Sequence, residues 1–426
     1  MSSRILVIGS GGREHALAWR LARDPERPEV HVASGNDGMA ATFTRHAVIE
    51  TDPIAVVALA RRLEPALVVV GPEAPLAAGV ADALAAAGFV VSGAAAAPAR
   101  LESSKWFAKE VMREARVPTA RAEVFSSRVD AEAALTRFGP PWVAKADGLA
   151  AGKGVLVTSS PEEVRTFLAA CLEGGRFGDG GHRVVLEEFL TGEEASVIAI
   201  CDGTRHVLLP AARDFKRAFD GDAGPNTGGM GSFAPTPAVT PDIEAVISEQ
   251  VVAPVLQALA ARGTPYRGAL YAGLMLTTAG PRVIEFNARF GDPETQSMLP
   301  LIGGSLATLL ASAAQGALDP DAVQRESGAT VTLALVDEGY PDRVRGGGVI
   351  EGLSALDDVM VFHAGTRHED GRWVVRGGRA AYLTATGANV EQARARVMAA
   401  RARLSGTGWR SRSDIAAAVV QPLRSA

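Results

Sequence analysis

Lysine is nearly missing from this chain. Five lysines stand against thirty-eight arginines. All five, Lys105, Lys109, Lys145, Lys153 and Lys216, fall within one 112-residue window. Arginine is a planar fork that favours two-pronged partners, whereas lysine is a compact charge on a flexible stem that can follow a single phosphate oxygen. A window that keeps lysine while the rest of the chain uses arginine therefore points to a site that handles phosphate. Cysteine is as scarce: Cys171 and Cys201 form no CxxC pair, which excludes a disulfide framework and leaves both expected as buried thiols. The seven histidines show no metal-ligand spacing, against a zinc site. No apolar run approaches the eighteen or more residues of a membrane span, and the amino terminus enters a strand pattern almost at once, so a cytoplasmic protein without a membrane partner is expected. A net charge of −5 supplies no basic field, so no nucleic-acid partner is expected.

What is present is enough apolar material for several domains: 426 residues, 47% of them hydrophobic. The fold expected is a multidomain α/β and α+β protein in three segments. Residues 1–102 alternate short apolar runs, among them Ile5–Ile8, Val30–Ala33 and Leu67–Val70, with helical stretches, the pattern of a Rossmann-like parallel sheet. The first strand ends in Gly9-Ser10-Gly11-Gly12-Arg13-Glu14, with a helix expected to begin near His15, so backbone N–H groups and Arg13 face a possible anion. Glu14 occupies the third glycine position of a dinucleotide fingerprint, which argues against a nicotinamide enzyme. Glu73, in Gly71-Pro72-Glu73, projects from the same carboxyl edge of the sheet.

Residues 103–327 form the second segment. Ser103 and Ser104 cap a helix carrying Lys105 and Lys109, with Lys109 expected to face solvent. Residues 140–145 and 155–157 read as strands around a glycine-rich loop containing Gly152 and Lys153, a hairpin lid within a subdomain of about 119–193. A Walker A loop would need a helix and a Ser or Thr after Lys153, where Gly154 stands. The small-residue stretch Gly221 to Gly231 is expected as a long loop, mobile or ordered by ligand. In the strand Arg282 to Asn287, Glu285 and Asn287 share a face, and hard oxygen donors at that spacing suit Mg²⁺ held jointly with nucleotide phosphates. Residues 328–426 alternate strands before one helix near 389–404, and are expected to be an α+β domain walling the cleft.

The octapeptide Arg289-Phe290-Gly291-Asp292-Pro293-Glu294-Thr295-Gln296 resembles the signature of the phosphoribosylamine–glycine ligase family of the ATP-grasp superfamily. Gly9 to Ala16, Gly71-Pro72-Glu73, Ser104-Lys105, Lys145 to Gly154, Glu187 to Leu190 and Gly224 to Gly231 resemble the same family in the same order. The resemblance implies a two-part ATP-grasp body between two flanking domains. It also implies ATP-dependent joining of glycine to 5-phosphoribosylamine through glycyl phosphate, with Mg²⁺ or Mn²⁺, in a monomer or weak homodimer. Carried over by position, Lys105, Lys145, Gly152 and Lys153 would meet ATP phosphates. Glu187, Glu188, Phe189 and Leu190 would form the hinge facing adenine, and Glu194 would hold the ribose. Glu285 and Asn287 would hold the metal. Arg289 and Lys145 would act on the transferred phosphoryl, and Asp214 and Lys216 would orient glycine or phosphate. Gly9, Gly11, Gly12, Arg13, Glu14, Glu73 and Asp292 would belong with Arg289 to the substrate side. Two departures stand out: Gly35 to Met39 carries Asp37 and Met39 where smaller neutral residues are usual, and Leu274-Met275-Leu276 lacks a third carboxylate. The alternative is another ATP-grasp carboxylate–amine ligase.

Overall fold

The computed structural model describes residues 3–148, 154–174 and 182–420. Arg4–Gly9 is the centre of a five-stranded parallel sheet in the order Thr44–His46, Glu29–Ser34, Arg4–Gly9, Leu67–Val70, Val91–Ser92. Residues 5–8 and Leu67–Val70 at its centre are all apolar because both faces are covered. Leu6, Ile8, Val68 and Val70 enter one apolar layer, and Ile5, Val7, Leu67 and Val69 the other. Strand order reverses between Arg4–Gly9 and Leu67–Val70, so a crevice opens at their carboxyl ends, where open α/β sheets bind ligands. The helix expected near His15 begins earlier, spanning Gly12–Leu21. Glu14 makes this possible by accepting the N–H of the N-cap residue Gly11 at 2.8 Å.

Two antiparallel sheets follow. The smaller runs Ala122–Phe125, Val184–Glu187, Trp142–Ala146, Val155–Thr158, and its helices Arg128–Phe138 and Pro161–Leu172 close a separate core around Trp142, Leu168 and Leu186. The hairpin read from the sequence is present, with Lys145 opposite Val155. The larger sheet runs His206–Leu208, Glu193–Asp202, Arg267–Thr277, Gly280–Asn287. Both cysteines are buried.

One sequence expectation changes at Pro241–Ala261, which is helical over 21 residues with a mean hydropathy of 1.3 and so reaches membrane length. Its Ile247, Val251, Val255, Leu256 and Leu259 pack into the core under the larger sheet, which accounts for its apolar face.

The carboxy-terminal sheet takes in two strands from the middle segment: its order is Arg213–Asp214, Gly231–Ala234, Ala329–Asp337, Arg379–Gly387, Met360–His363, with Trp409–Arg410 beside Ala329–Asp337. The helix Val390–Ala402 follows the last long strand. One apolar core joins Leu17 and Met39 to Phe233, Leu333 and Tyr382, so segments distant in sequence are packed as neighbours. The Gly221 to Gly231 stretch is not a free loop. Arg217–Phe219 pairs with Ala223–Asn226, Gly221 N donates to Asp414 at 2.8 Å, and Arg412 grips Asp222 at 2.8 Å and Asp414 at 2.7 Å. Its glycines serve tight turns, with φ of +69° at Gly221 and +80° at Gly224. The partners that order it lie nearly two hundred residues later, where local sequence gives no sign of them.

Candidate active site

Glu14 sits in the crevice of the parallel sheet because two glycines make room for it. A Cβ on Gly71 would lie 2.3 Å from Glu14 Oε1, and one on Gly9, where φ is +127°, would lie 2.4 Å from Glu14 Cγ. Burial raises the Glu14 pKa more than the adjoining Arg13 lowers it. Arg13 Nε donates to Glu14 at 2.5 Å, and its other arm donates to the Phe290 carbonyl at 3.1 Å. Arg289 lies 3.2 Å from Glu73 and 3.0 Å from Glu102. Burial disfavours the charge on Glu73, but Arg289 and then Arg13 outweigh it, so the carboxylate is held below its ordinary range. Asp292 accepts from Gln296 at 2.8 Å and pairs with Arg379 at 3.2 Å. The substrate-side set of Gly9, Gly11, Gly12, Arg13, Glu14, Glu73, Arg289 and Asp292 is thus brought to one place. Arg379 and Tyr382 join it from the carboxy-terminal sheet, Tyr382 packing so close that a Cβ on Gly12 would meet its ring at 2.3 Å. Neither was foreseen, since one arginine among thirty-eight carries no signal.

A cleft lined by paired lysines and carboxylates adjoins this crevice. Ser196, Gly273 and Glu285 form one cross-strand row, and Tyr271 and Asn287 lie on the same face. Between Gly273 and Leu274 the register slips, leaving Ile284 as an extra residue. The Ile284 carbonyl accepts the Lys145 ammonium at 2.9 Å, and Lys145 also lies 3.1 Å from Glu187. Lys105 stands 3.9 Å from Glu285. Burial alone would raise the Glu285 pKa, but Lys105, then Lys216, Lys145 and Arg289, hold it at about 2. Lys216 pairs with Glu194 at 2.9 Å. Burial pushes Asp214 up to about 7, against Lys216 and with help from Glu294, Glu194 and Glu285. Ser196 Oγ lies 3.0 Å from the Tyr271 hydroxyl, 3.1 Å from Glu294 and 3.5 Å from Asp214. Glu294 lies within the octapeptide, where the sequence alone assigns it no role.

Two expectations change here. Lys109 does not face solvent: it is 7% exposed, donates to Thr119 Oγ1 at 2.8 Å and the Ala120 carbonyl at 3.1 Å, and lies 3.3 Å from Glu187. It sits on the buried side of the helix Lys105–Glu114 with Phe107, Ala108 and Val111, and the carboxylate that draws it inward is far away in sequence. Glu187 is the second case. Glu187 is 3% exposed and its carboxylate is taken up by Lys109 and Lys145, while Glu188 pairs with Arg282 at 3.2 Å and Phe189 is 43% exposed. His15 packs between Phe43 and Phe362 and accepts the His363 N–H at 2.9 Å, a packing role. Gly152 and Lys153 lie outside the described residues.

Among the described residues no three His, Cys, Asp or Glu side chains are grouped to hold a metal ion. One ionised carboxylate, Glu285, and one amide oxygen, Asn287, still fit a hard divalent cation that takes its remaining ligands from phosphate and water.

Family models match the chain in three consecutive blocks: the phosphoribosylglycinamide synthetase N domain over residues 3–102, its ATP-grasp (A) domain over 103–295 and its C domain over 330–418. The chain belongs to the phosphoribosylamine–glycine ligase family. The Streptomyces coelicolor phosphoribosylamine–glycine ligase is 48% identical over 97% of this chain and 99% of its own, and the Caulobacter vibrioides ligase is 46% identical over 96% and 97%. The crystal structure of the Thermotoga maritima ligase superposes with a TM-score of 0.84 at 33% identity, covering 97% of this chain and all of that one. A Campylobacter jejuni biotin carboxylase, solved as a β-γ-ATP complex, shares the fold at a TM-score of 0.72 and 16% identity, over 96% of this chain and 93% of its own. The ATP-grasp (A) domain match places the chain in a class that binds ATP with a divalent metal.

Proposed function

We propose that this cleft joins glycine to 5-phosphoribosylamine, converting ATP to ADP and phosphate and yielding glycinamide ribonucleotide for de novo purine biosynthesis in the cytoplasm. The observation that carries the reading is the position of Arg289. It follows the strand bearing Glu285 and Asn287, yet pairs with Glu73 at the edge of the parallel-sheet crevice, so phosphate chemistry and the amine's site would meet at one guanidinium.

The free carboxylate of glycine does not react with an amine at neutral pH, because an oxide is too poor a leaving group. Attack of that carboxylate on the γ-phosphorus of ATP gives glycyl phosphate and ADP. Attack by the phosphoribosylamine nitrogen then forms the amide and expels phosphate. Phosphoryl transfer is largely positioning and charge stabilisation, so no protein nucleophile is required. Lys105 and Lys145 would bind the phosphates, and Arg289 would steady the group in transfer. Mg²⁺ or Mn²⁺ held by Glu285 and Asn287 would neutralise phosphate charge. Asp214, its charge disfavoured by burial, and Lys216 would orient glycine. Phe189 and Leu190 would cover adenine, and Glu194 would meet the ribose after releasing Lys216. Gly11, Gly12, Arg13 and Glu14 would receive the phosphoribosyl group. The test is ADP release with ATP, Mg²⁺, glycine and freshly generated phosphoribosylamine, each omitted in turn. ADP release unaffected by omitting phosphoribosylamine, with no amide formed, would overturn the reading.

A further inference from the structure

Glu187 is a buried carboxylate shared by two ammonium groups. Its Oε2 lies 3.1 Å from Lys145 and 3.3 Å from Lys109, and its Oε1 is buried without a hydrogen-bond partner among the described residues. Its charge is therefore balanced by the two lysines. The lysines are not equivalent. Lys109 is held on all sides by Thr119, the Ala120 carbonyl and Glu187, and Thr119 is itself fixed by donating to the Val283 carbonyl at 2.6 Å. Lys145 reaches the edge strand at Ile284, one residue from Glu285, and so borders the cleft.

We infer that Lys109 is a positioning residue: it is the standing counter-ion of Glu187, and this frees Lys145 to move its charge onto a nucleotide phosphate. A buried carboxylate left without a cation costs several kcal/mol. If Lys145 were the only partner of Glu187, transfer to phosphate would incur that cost, and the ammonium would stay where it is. With Lys109 in place the carboxylate stays paired whether or not Lys145 leaves. The inference rests on the reading of Lys145 as a phosphate contact. Burial lowers the Lys109 pKa to about 8, with Lys145 adding to the fall, while Glu187 and then Glu188 favour its charge.

The test is equilibrium binding of ATP and of adenosine to four variants of the whole chain, with KM for ATP and for glycine measured alongside. Lys109→Met should weaken ATP binding about tenfold or more, from the stranded-charge cost, and raise KM for ATP. Adenosine binding and KM for glycine should stay near wild type. Glu187→Gln removes the charge that needs balancing, so Lys109→Met added to Glu187→Gln should cause no further loss of ATP affinity. Equal losses of ATP and adenosine binding in Lys109→Met, or additive losses in the double variant, would overturn the inference. If Lys109→Met does not fold, the comparison of Glu187→Gln with the double variant still decides, because neither strands a carboxylate. Lys145→Met separates the two readings. Unchanged ATP affinity there removes the phosphate role of Lys145 itself, whereas a loss there beside an unaffected Lys109→Met removes only the role of Lys109.

Discussion

Arg289 and Glu73 face each other at 3.2 Å across the junction between the ATP-grasp sheet and the amino-terminal parallel sheet. A second carboxylate, Glu102, holds the same guanidinium at 3.0 Å and accepts the Ala288 N–H at 2.9 Å. The arginine is thus flanked by carboxylates on both sides, the preorganisation that the proposed role on a transferred phosphoryl group would require.

Glu285→Ala should abolish turnover while the fold persists. The carboxylate is the charged member of the Glu285–Asn287 pair, and the cations around it hold it ionised. Steady-state rates at saturating Mg²⁺ should fall below about a tenth of wild type, given the several kcal/mol a catalytic metal contributes.

Lys145→Arg should cripple the enzyme although this chain uses arginine at nearly every other basic position. Lys145 is 3% exposed and fills a space shaped by one carboxylate and one carbonyl. A guanidinium keeps the charge but needs more room and a two-pronged partner. A loss of about a hundredfold in kcat is expected from displaced phosphates, and kinetics near wild type would contradict it.

Gly71→Ala should weaken phosphoribosylamine binding and leave ATP binding intact. The added methyl would collide with Glu14, whose side chain cannot retreat between Gly9 and Gly71. KM for phosphoribosylamine should rise about tenfold for a displacement of this kind, with ATP affinity from calorimetry unchanged.

The acyl-phosphate route makes an isotopic prediction. Glycine labelled with ¹⁸O in its carboxylate should deliver one labelled oxygen to inorganic phosphate, read by mass spectrometry. Unlabelled phosphate would exclude glycyl phosphate.

Asp202 should make the fold acid-sensitive. It accepts the N–H groups of Thr204 at 3.0 Å, Arg205 at 2.7 Å and Leu318 at 3.1 Å. Burial opposes its charge, but these bonds together hold its pKa at about 2, below the ordinary 3.8. A depressed carboxylate stabilises fully above its unfolded pKa and loses that contribution as pH falls through the folded one. Urea unfolding of Asp202→Asn should show a deficit of about 2 kcal/mol near neutrality. The gap to wild type should narrow between pH 4 and 2.

Much of the architecture was legible because it is written in local periodicity. Continuous apolar runs named the parallel strands, the runs on either side of Gly148 and Gly154 named a strand pair, and the two-residue spacing of Glu285 and Asn287 placed them on one face. Lys109 was misread for the same reason. Its helix position says which neighbours along the helix it has, and nothing in positions 105–114 reveals the carboxylate at 187 that makes a buried place for an ammonium.

Sequence by itself determined the chemistry available: a lysine-bearing window in an arginine chain, glycine loops at strand ends, and the run Arg289 to Gln296 that ties the chain to its family. Tertiary structure alone decided how those groups are charged and paired. It gave Glu187 two lysines, turned a bulge carbonyl at Ile284 toward Lys145, and brought Arg379 and Tyr382 of the last sheet against Asp292 and Gly12. Electrostatic pairing in a buried site depends on distances of a few ångströms between residues tens to hundreds of positions apart, and those distances arise only when the separate sheets pack into shared cores.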